Sequence, residues 1–174
     1  MIDKTEKFLV DSNSFMTPYR FYYAFDLVPA YWKALEQHIK SGRIVVLDMV
    51  KDEIDKGKDE LATWLNTVKG LEVVPHVSTE IVTKYQEVLQ YVQGSGLYKP
   101  EAFQIWAPGY IADPWIIAAA SAHSYTIVTE EKSSGGLSIK TPNRAAKIPD
   151  VAHHFGARAI DIYEMMRKLN IKIE

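Results

Sequence analysis

The amino-acid sequence predicts an α/β protein, a three-layer α/β/α sandwich around a mainly parallel central sheet, in a single domain over residues 1–174. Three observations carry that expectation. Short apolar, β-branched runs alternate with longer segments whose apolar residues recur at helical spacing, the pattern of successive strand–helix units. The run Arg43-Ile44-Val45-Val46-Leu47 is apolar almost without interruption, as a strand buried on both faces requires. Acidic residues follow these runs at Asp11, Glu53 and Glu131, and Asp113 opens an apolar helix.

The first strand is read over Lys7 to Val10 and closes on the turn-forming triplet Asp11-Ser12-Asn13; it takes the central place in the sheet. An aromatic-rich segment from Tyr19 to Ser41 follows. Pro29 can begin a helix there, with Trp32, Leu35 and Ile39 on one face and Gly42 as its closing residue. Arg43 to Leu47 is the second strand. Lys51 to Lys69 is strongly charged, but Ile54, Leu61, Trp64, Leu65 and Val68 recur at roughly helical spacing, so one or two helices end at Gly70. Leu71 to Val77 reads as an edge strand, because Pro75 has no N–H for a ladder.

Ser78 or Thr79 caps a helix running to about Gln93, with Ile81, Val82, Tyr85, Val88, Leu89 and Val92 as its buried stripe. Pro100 starts a shorter helix through Trp106. Asp113-Pro114 opens a helix of small and apolar residues, Trp115 to Ala122, suited to burial against the sheet. Tyr125 to Thr129 is the next strand. Lys132 to Lys147, centred on Ser133-Ser134-Gly135-Gly136, is the most turn-prone stretch and is expected to be a mobile loop. Val151 to Phe155 forms a short helix, and Ala159 to Leu169 the last amphipathic one.

Composition narrows the chemistry. At 47% hydrophobic and 24% charged residues the chain is that of an ordinary globular domain. The absence of cysteine removes disulfides, thiolate zinc sites and a cysteine nucleophile together, leaving oxygen and imidazole as the available donors. The amino terminus is mixed in charge, unlike a secretory or transit peptide. No apolar stretch approaches the ~20 residues that span a bilayer. A cytoplasmic location, away from membranes, is the expectation. The formal charge of −2 neither advertises nor excludes a nucleic-acid partner, since bound cations would offset the four candidate acids and turn the balance basic.

The four acids Asp11, Glu53, Asp113 and Glu131 are the candidate site. In an α/β sheet the ends of parallel strands meet at one edge, so these residues can converge there. Carboxylates brought together repel unless cations lie between them, and hard divalent ions such as Mg²⁺ or Mn²⁺ prefer carboxylate oxygens.

Asp11-Ser12-Asn13 after a short strand, Val50-x-x-Glu53, Asp113 before Ile116-Ile117-Ala118-Ala119-Ala120, and Val128-Thr129-x-Glu131 together resemble the PIN domain in order and spacing. The stretch Lys147-Ile148-Pro149-Asp150-Val151 is similar to a PIN-like branch, the DUF4411 family. The resemblance covers almost the whole chain. It implies a fold like that of the 5′ nucleases and a Mg²⁺- or Mn²⁺-dependent ribonuclease, as in VapC-type toxins of toxin–antitoxin pairs. Carried over by motif, Asp11, Glu53, Asp113 and Glu131 are the metal-binding and catalytic acids, with Ser12 or Asn13 orienting the cation or its water. The family usually has Asp at the fourth position, where Glu130 and Glu131 compete. The implied partners are an RNA substrate, a cognate antitoxin and a second copy in a homodimer.

Each residue also has a plainer explanation. Asp113 before Pro114 suits a helix N-cap, Asp11 an Asx-turn, and Glu53 and Glu131 a solvated surface. Asp150 after Pro149 is read first as an N-cap and second as an accessory to the site. His153-His154 are adjacent, so their side chains diverge and make a poor zinc motif; they are read as surface residues. Tyr19, Phe21, Tyr22 and Tyr23 can stack on bases, but core packing or a dimer surface explains them better. Arg20, Lys132, Lys140, Arg144 and Lys147 are candidate RNA phosphate contacts.

Two other enzyme classes fit poorly. A haloacid-dehalogenase-type phosphatase wants a second Asp where Asn13 stands, and a receiver domain wants an acidic pair after its first strand. The competing function is a PIN scaffold that binds RNA or protein without cleaving.

Overall fold

A computed structural model of the protein describes residues 5–173. Its sheet has five strands in the order β3-β2-β1-β4-β5, with β1 at Phe8–Val10, β2 at Ile44–Leu47, β3 at Glu72–Val74, β4 at Thr126–Val128 and β5 at Ala159–Ile160. The strands run parallel. Phe8 stands opposite Ile44 and Leu9 opposite Val45, while Val45, Val46 and Leu47 face Glu72, Val73 and Val74. On the other side, the Ile127 amide donates to the Arg158 carbonyl and the Thr129 amide to that of Ile160, so the register of β4 and β5 advances together. This is the parallel α/β architecture expected, with β1 central and β3 at an edge.

Burial explains the strand compositions. All residues of β1 and β2 are buried, so neither strand has a polar face to alternate with. Edge strand β3 buries only Val74 and leaves Val73 exposed. Pro75 lies just beyond it, where no ladder bond is lost.

The chain divides into two compact units. The first takes the described residues up to Pro75, with Val128–Glu130 and the described residues from Ile160 onward. It holds helix α1 (Asn13–Thr17), a π-helical turn (Pro18–Tyr22), α2 (Pro29–Lys40), α3 (Asp48–Lys56), α4 (Glu60–Thr67) and α9 (Ile162–Lys168). Helix α2 buries Tyr31, Trp32, Leu35 and Ile39, and Gly42 follows it at φ 71°, a left-handed geometry that favours glycine. The charged segment after β2 is two helices. Gly57 closes α3, Lys58 turns through φ 50°, and Asp59 caps α4 by accepting from the Ala62 amide at 3.0 Å.

An aromatic cluster fills this unit. Phe25 stacks on Trp32 with centroids 4.3 Å apart, and Trp64 meets Trp32 edge-on at 4.9 Å. The four aromatics of the Tyr19–Tyr23 stretch divide in role. Tyr23 packs on Tyr31 at 4.3 Å and Tyr19 against Phe25 at 5.6 Å, whereas Phe21 and Tyr22 are exposed.

The second unit comprises His76–Ile127 and Glu131–Ala159. It contains α5 (Thr79–Gly94), α6 (Pro100–Trp106), α7 (Ala112–His123) and α8 (Ile148–His154). Ser78 caps α5 as expected. Helix α7 buries every residue from Pro114 to Ala120 and packs against α5 and α8, with Tyr85 stacked 3.6 Å from Trp115. Truncating Ile117 to Ala in so closed a setting costs about 2–5 kcal/mol. His153 and His154 are exposed, the latter stacked on Tyr91 at 3.8 Å.

Several local expectations need correction. Ile111, in extended geometry, is the N-cap of α7, so Asp113 lies inside the first turn and does not cap the helix. Lys147 is the N-cap of α8, so Asp150 is not its cap either. The segment after Ala159 begins with β5, and Asp161 then caps α9 by accepting from the Glu164 amide. In the loop over Ser133 to Asn143, Ser133 bonds Asp150 and Asn143 bonds Ser134.

Candidate functional site

The central strand ends at a carboxylate. Asp11 follows Val10 at the carboxyl end of β1 and is only 5% exposed. Its Oδ1 accepts from the Ser12 amide at 2.8 Å, and its Oδ2 from the Thr129 hydroxyl at 3.0 Å. Thr129 is itself 2% exposed and lies at the carboxyl end of β4. The Asp11 amide donates to the Val128 carbonyl at 2.9 Å, tying the two strand ends together.

Asn13 completes this junction. Its Oδ1 accepts from the Glu130 amide at 3.0 Å and from Ser14 Oγ at 3.2 Å, while its Nδ2 donates to Thr129 Oγ1 at 3.4 Å. Ser14 Oγ also donates to the Val128 carbonyl. Ser12 is the N-cap of α1 but makes no side-chain cap bond. These bonds make Asn13 a strut and Asp11 an oriented carboxylate.

Topology makes this junction a candidate site. From β1 the chain fills one side of the sheet with β2 and β3, then returns to the other side with β4 and β5. The order therefore reverses between β1 and β4, and in open parallel sheets ligands bind beyond the strand carboxyl ends at such a switch. Asp11 and Thr129 occupy that place.

The other acids are placed differently. Glu53 lies within α3, on an exposed face, and not at the end of β2. The acid directly after β2 is Asp48, whose Oδ1 accepts from the Met49 amide at 2.8 Å. The sequence carries its signal, since it follows an apolar run just as Asp11 does. Asp113 is half-buried in the first turn of α7. Glu131 reaches α8, where Oε2 accepts from the Ile148 amide at 2.8 Å and Oε1 pairs with Lys147 Nζ at 3.1 Å. Glu130 turns instead into a small cavity of the first unit, lined also by Thr17, Tyr22, Tyr23 and Tyr163. The adjacent glutamates therefore have separate surroundings.

Asp150 fastens the loop that follows Glu131. Its carboxylate accepts from Ser133 Oγ, from the Ser134 amide at 3.0 Å and from Ser134 Oγ at 2.6 Å. Asn143 Nδ2 donates to Ser134 Oγ, and the Asn143 backbone bonds Leu97 and Lys99. Partial burial pushes the Asp150 carboxyl up, but the serine donors and Lys147 outweigh it and hold it below the ordinary aspartate value of 3.8. Of the candidate phosphate contacts, Arg20, Lys132, Lys140 and Arg144 are exposed, and Lys147 is paired with Glu131.

The donor types suit a hard cation, because the acids offer oxygen and the chain has no thiolate. Among the described residues, however, no group of three or more His, Asp or Glu side chains gathers closely enough to hold a metal ion. The acids fit Mg²⁺ or Mn²⁺ in kind, with no preassembled cage.

Fold and site define a parallel α/β protein with an oriented carboxylate at its topological switch. The chain belongs to the family described as domain of unknown function DUF4411, which it matches over residues 8–173. No protein of curated function matches it. It is also similar to a solved structure, VapBC2 from Rickettsia felis bound to a DNA fragment from their promoter. That likeness has 19% identity and a TM-score of 0.49, covering 71% of this chain and 87% of that one. No helix among the described residues is long and apolar enough to cross a membrane.

Proposed function

We propose that this chain is a Mg²⁺- or Mn²⁺-dependent ribonuclease of PIN type, acting in the cytoplasm as the toxin of a toxin–antitoxin pair, as one folded domain. The observation that carries the reading is Asp11, buried at the end of the central strand and aimed by the Ser12 amide and the Thr129 hydroxyl. A carboxylate in that position orients whatever binds at the switch point. The family motifs add Glu53, Asp113 and Glu131 as the other acids. Asp113 stands in the first turn of α7, and the family motif assigns it to the site.

When bound, the cation neutralises phosphoryl oxygens and activates water for attack on the phosphodiester bond. The chain's own residues do the rest. By the family motifs Asp11, Glu53, Asp113 and Glu131 would hold the cation; Ser12 and Thr129 fix the direction of Asp11, and Asn13 keeps the ends of β1 and β4 in register. Arg20, Lys132, Lys140 and Arg144 offer exposed charge to the RNA backbone. Glu131, which pairs with Lys147 and accepts from the Ile148 amide, would give up the Lys147 pairing to serve as a ligand.

A second reading, a scaffold that binds RNA or a protein without cleaving it, is favoured by Glu131's bonds to α8. Incubation of purified protein with varied RNAs in Mn²⁺, Mg²⁺ or EDTA separates the two. Cleavage that needs the metal and disappears in Asp11→Asn and Asp113→Asn supports the ribonuclease. Cleavage unchanged in both variants rejects the site, and RNA bound but intact supports the scaffold.

A further inference from the structure

The first unit contains a cavity of about 70 Å³ lined by Thr17, Pro18, Tyr22, Tyr23, Glu130, Ile162 and Tyr163. One of its features is costly for a protein to keep. Glu130 Oε1, in its wall, is buried with no hydrogen-bond partner; the Tyr31 hydroxyl, which does not line the cavity, is buried and unpartnered as well. A buried polar atom left unpaired costs about 1–3 kcal/mol, and more when it is charged. The backbone around the cavity is also unusual. A π-helical turn over Pro18–Tyr22, closed by the Tyr23 amide on the Pro18 carbonyl at 2.7 Å, brings Pro18, Tyr22 and Tyr23 to one wall. Such turns recur at functional sites.

We propose that this cavity is a binding site for a guanidinium group. The chemistry disfavours an anion, an apolar group and a hard divalent ion. An anion would face Glu130, and an apolar group would leave its oxygen unpaired. A hard divalent ion wants six or more oxygens, whereas the wall offers one carboxylate among a Thr hydroxyl and phenols. The volume exceeds the ~10–15 Å³ that one water needs. A guanidinium is planar and weakly hydrated, donates N–H bonds to a carboxylate, and stacks on aromatic rings such as those of Tyr22, Tyr23 and Tyr163.

The charge of Glu130 is felt across this cluster. Burial first, then Tyr23, Glu130 and Tyr163, push the Tyr31 phenol far above its ordinary value. Tyr23 is raised too, by burial and by its interaction with Tyr163. The mouth is accessible, with Tyr22 60% and Tyr163 47% exposed, and the Phe21 ring lies 6.3 Å from Tyr22. The guanidinium is either that of a free small molecule or an arginine side chain on a polypeptide. This site does not depend on the ribonuclease reading.

The test is an NMR titration of the full chain with methylguanidinium chloride, using sodium chloride as the ionic-strength control. Saturable shifts are expected at Thr17, Tyr22, Tyr23, Glu130 and Tyr163, with a dissociation constant near ~1 mM, the affinity of one small charged group. The neutral near-isostere Glu130→Gln should weaken binding about tenfold or more through loss of the charge-assisted bond. Tyr22→Ala, at an exposed ring with little bearing on folding, should weaken it severalfold. Agmatine and an arginine-containing peptide identify the source: tighter binding of the peptide assigns a polypeptide arginine, and equal binding assigns a free guanidino compound. Absence of saturable shifts, unchanged affinity in both variants, or a crystal soak showing only water in the cavity would overturn the proposal.

Discussion

Asp11 in the first unit and Glu131 in the second are both candidate ligands, yet different donors hold them. Asp11 is oriented by a backbone amide and a hydroxyl, whereas Glu131 accepts from an α8 amide and pairs with the ammonium of Lys147. An amide or hydroxyl fixes direction and adds little charge, but a lysine adds a full one. Nearby, Asp150 is fastened by two serines. The same functional group is thus aimed in one region and engaged as a structural tie in the other.

Asp11→Asn has the largest expected effect. Metal-dependent RNA cleavage should fall about a hundredfold or more, with an unchanged circular dichroism spectrum, since a ligand outweighs the 10–100-fold typical of outer-shell partners. Activity within a small factor of the parent would remove Asp11 from the site. Thr129→Val keeps the shape but deletes the hydroxyl, removing one donor from the buried Asp11 carboxylate. The expected cost is about 1–3 kcal/mol by urea unfolding, together with slower cleavage. A neutral result would show that Thr129 does not aim Asp11.

Acid probes the second region. Because the folded Asp150 carboxyl is lowered, its contribution to stability is fully present above the unfolded value of about 3.8 and is lost as pH falls through the lower folded value. The protection factor of the Ser134 amide, corrected for the intrinsic exchange rate, should fall over that window, and Asp150→Asn should remove the dependence. The smallest effect is expected from Lys147→Met. Stability should change by less than ~1 kcal/mol, as is usual for a half-exposed pair. Mn²⁺ affinity should nevertheless rise, because Glu131 no longer has to leave Lys147. Unchanged affinity would argue that Glu131 is a structural tie only.

Much of the scaffold is legible in local pattern. The unbroken apolar runs mark β1 and β2 because both faces of those strands are buried. The Asp59 and Ser78 caps show why α4 and α5 begin where they do, each side chain accepting from an otherwise unpaired amide. The two-residue β5 is too short to show a period and merges with α9 in the apolar pattern, although Asp161 and Glu164 carry a capping signal at the boundary. The π-helical turn leaves no trace in the pattern of apolar residues. Motif spacing favours Glu53 over Asp48, yet the position of Asp48 after β2 repeats that of Asp11 after β1.

By itself, the sequence determined the alternation of elements, the parallel class and the types of donor available, because those depend on side-chain periodicity and composition. Tertiary structure alone decided what each acid faces. Glu130 and Glu131 are chemically identical neighbours, but one turns toward tyrosines in a cavity and the other toward a lysine and a helix amide. The physical reason is that a carboxylate's role depends on its nearest donors and charges, and here those come from residues distant in the chain.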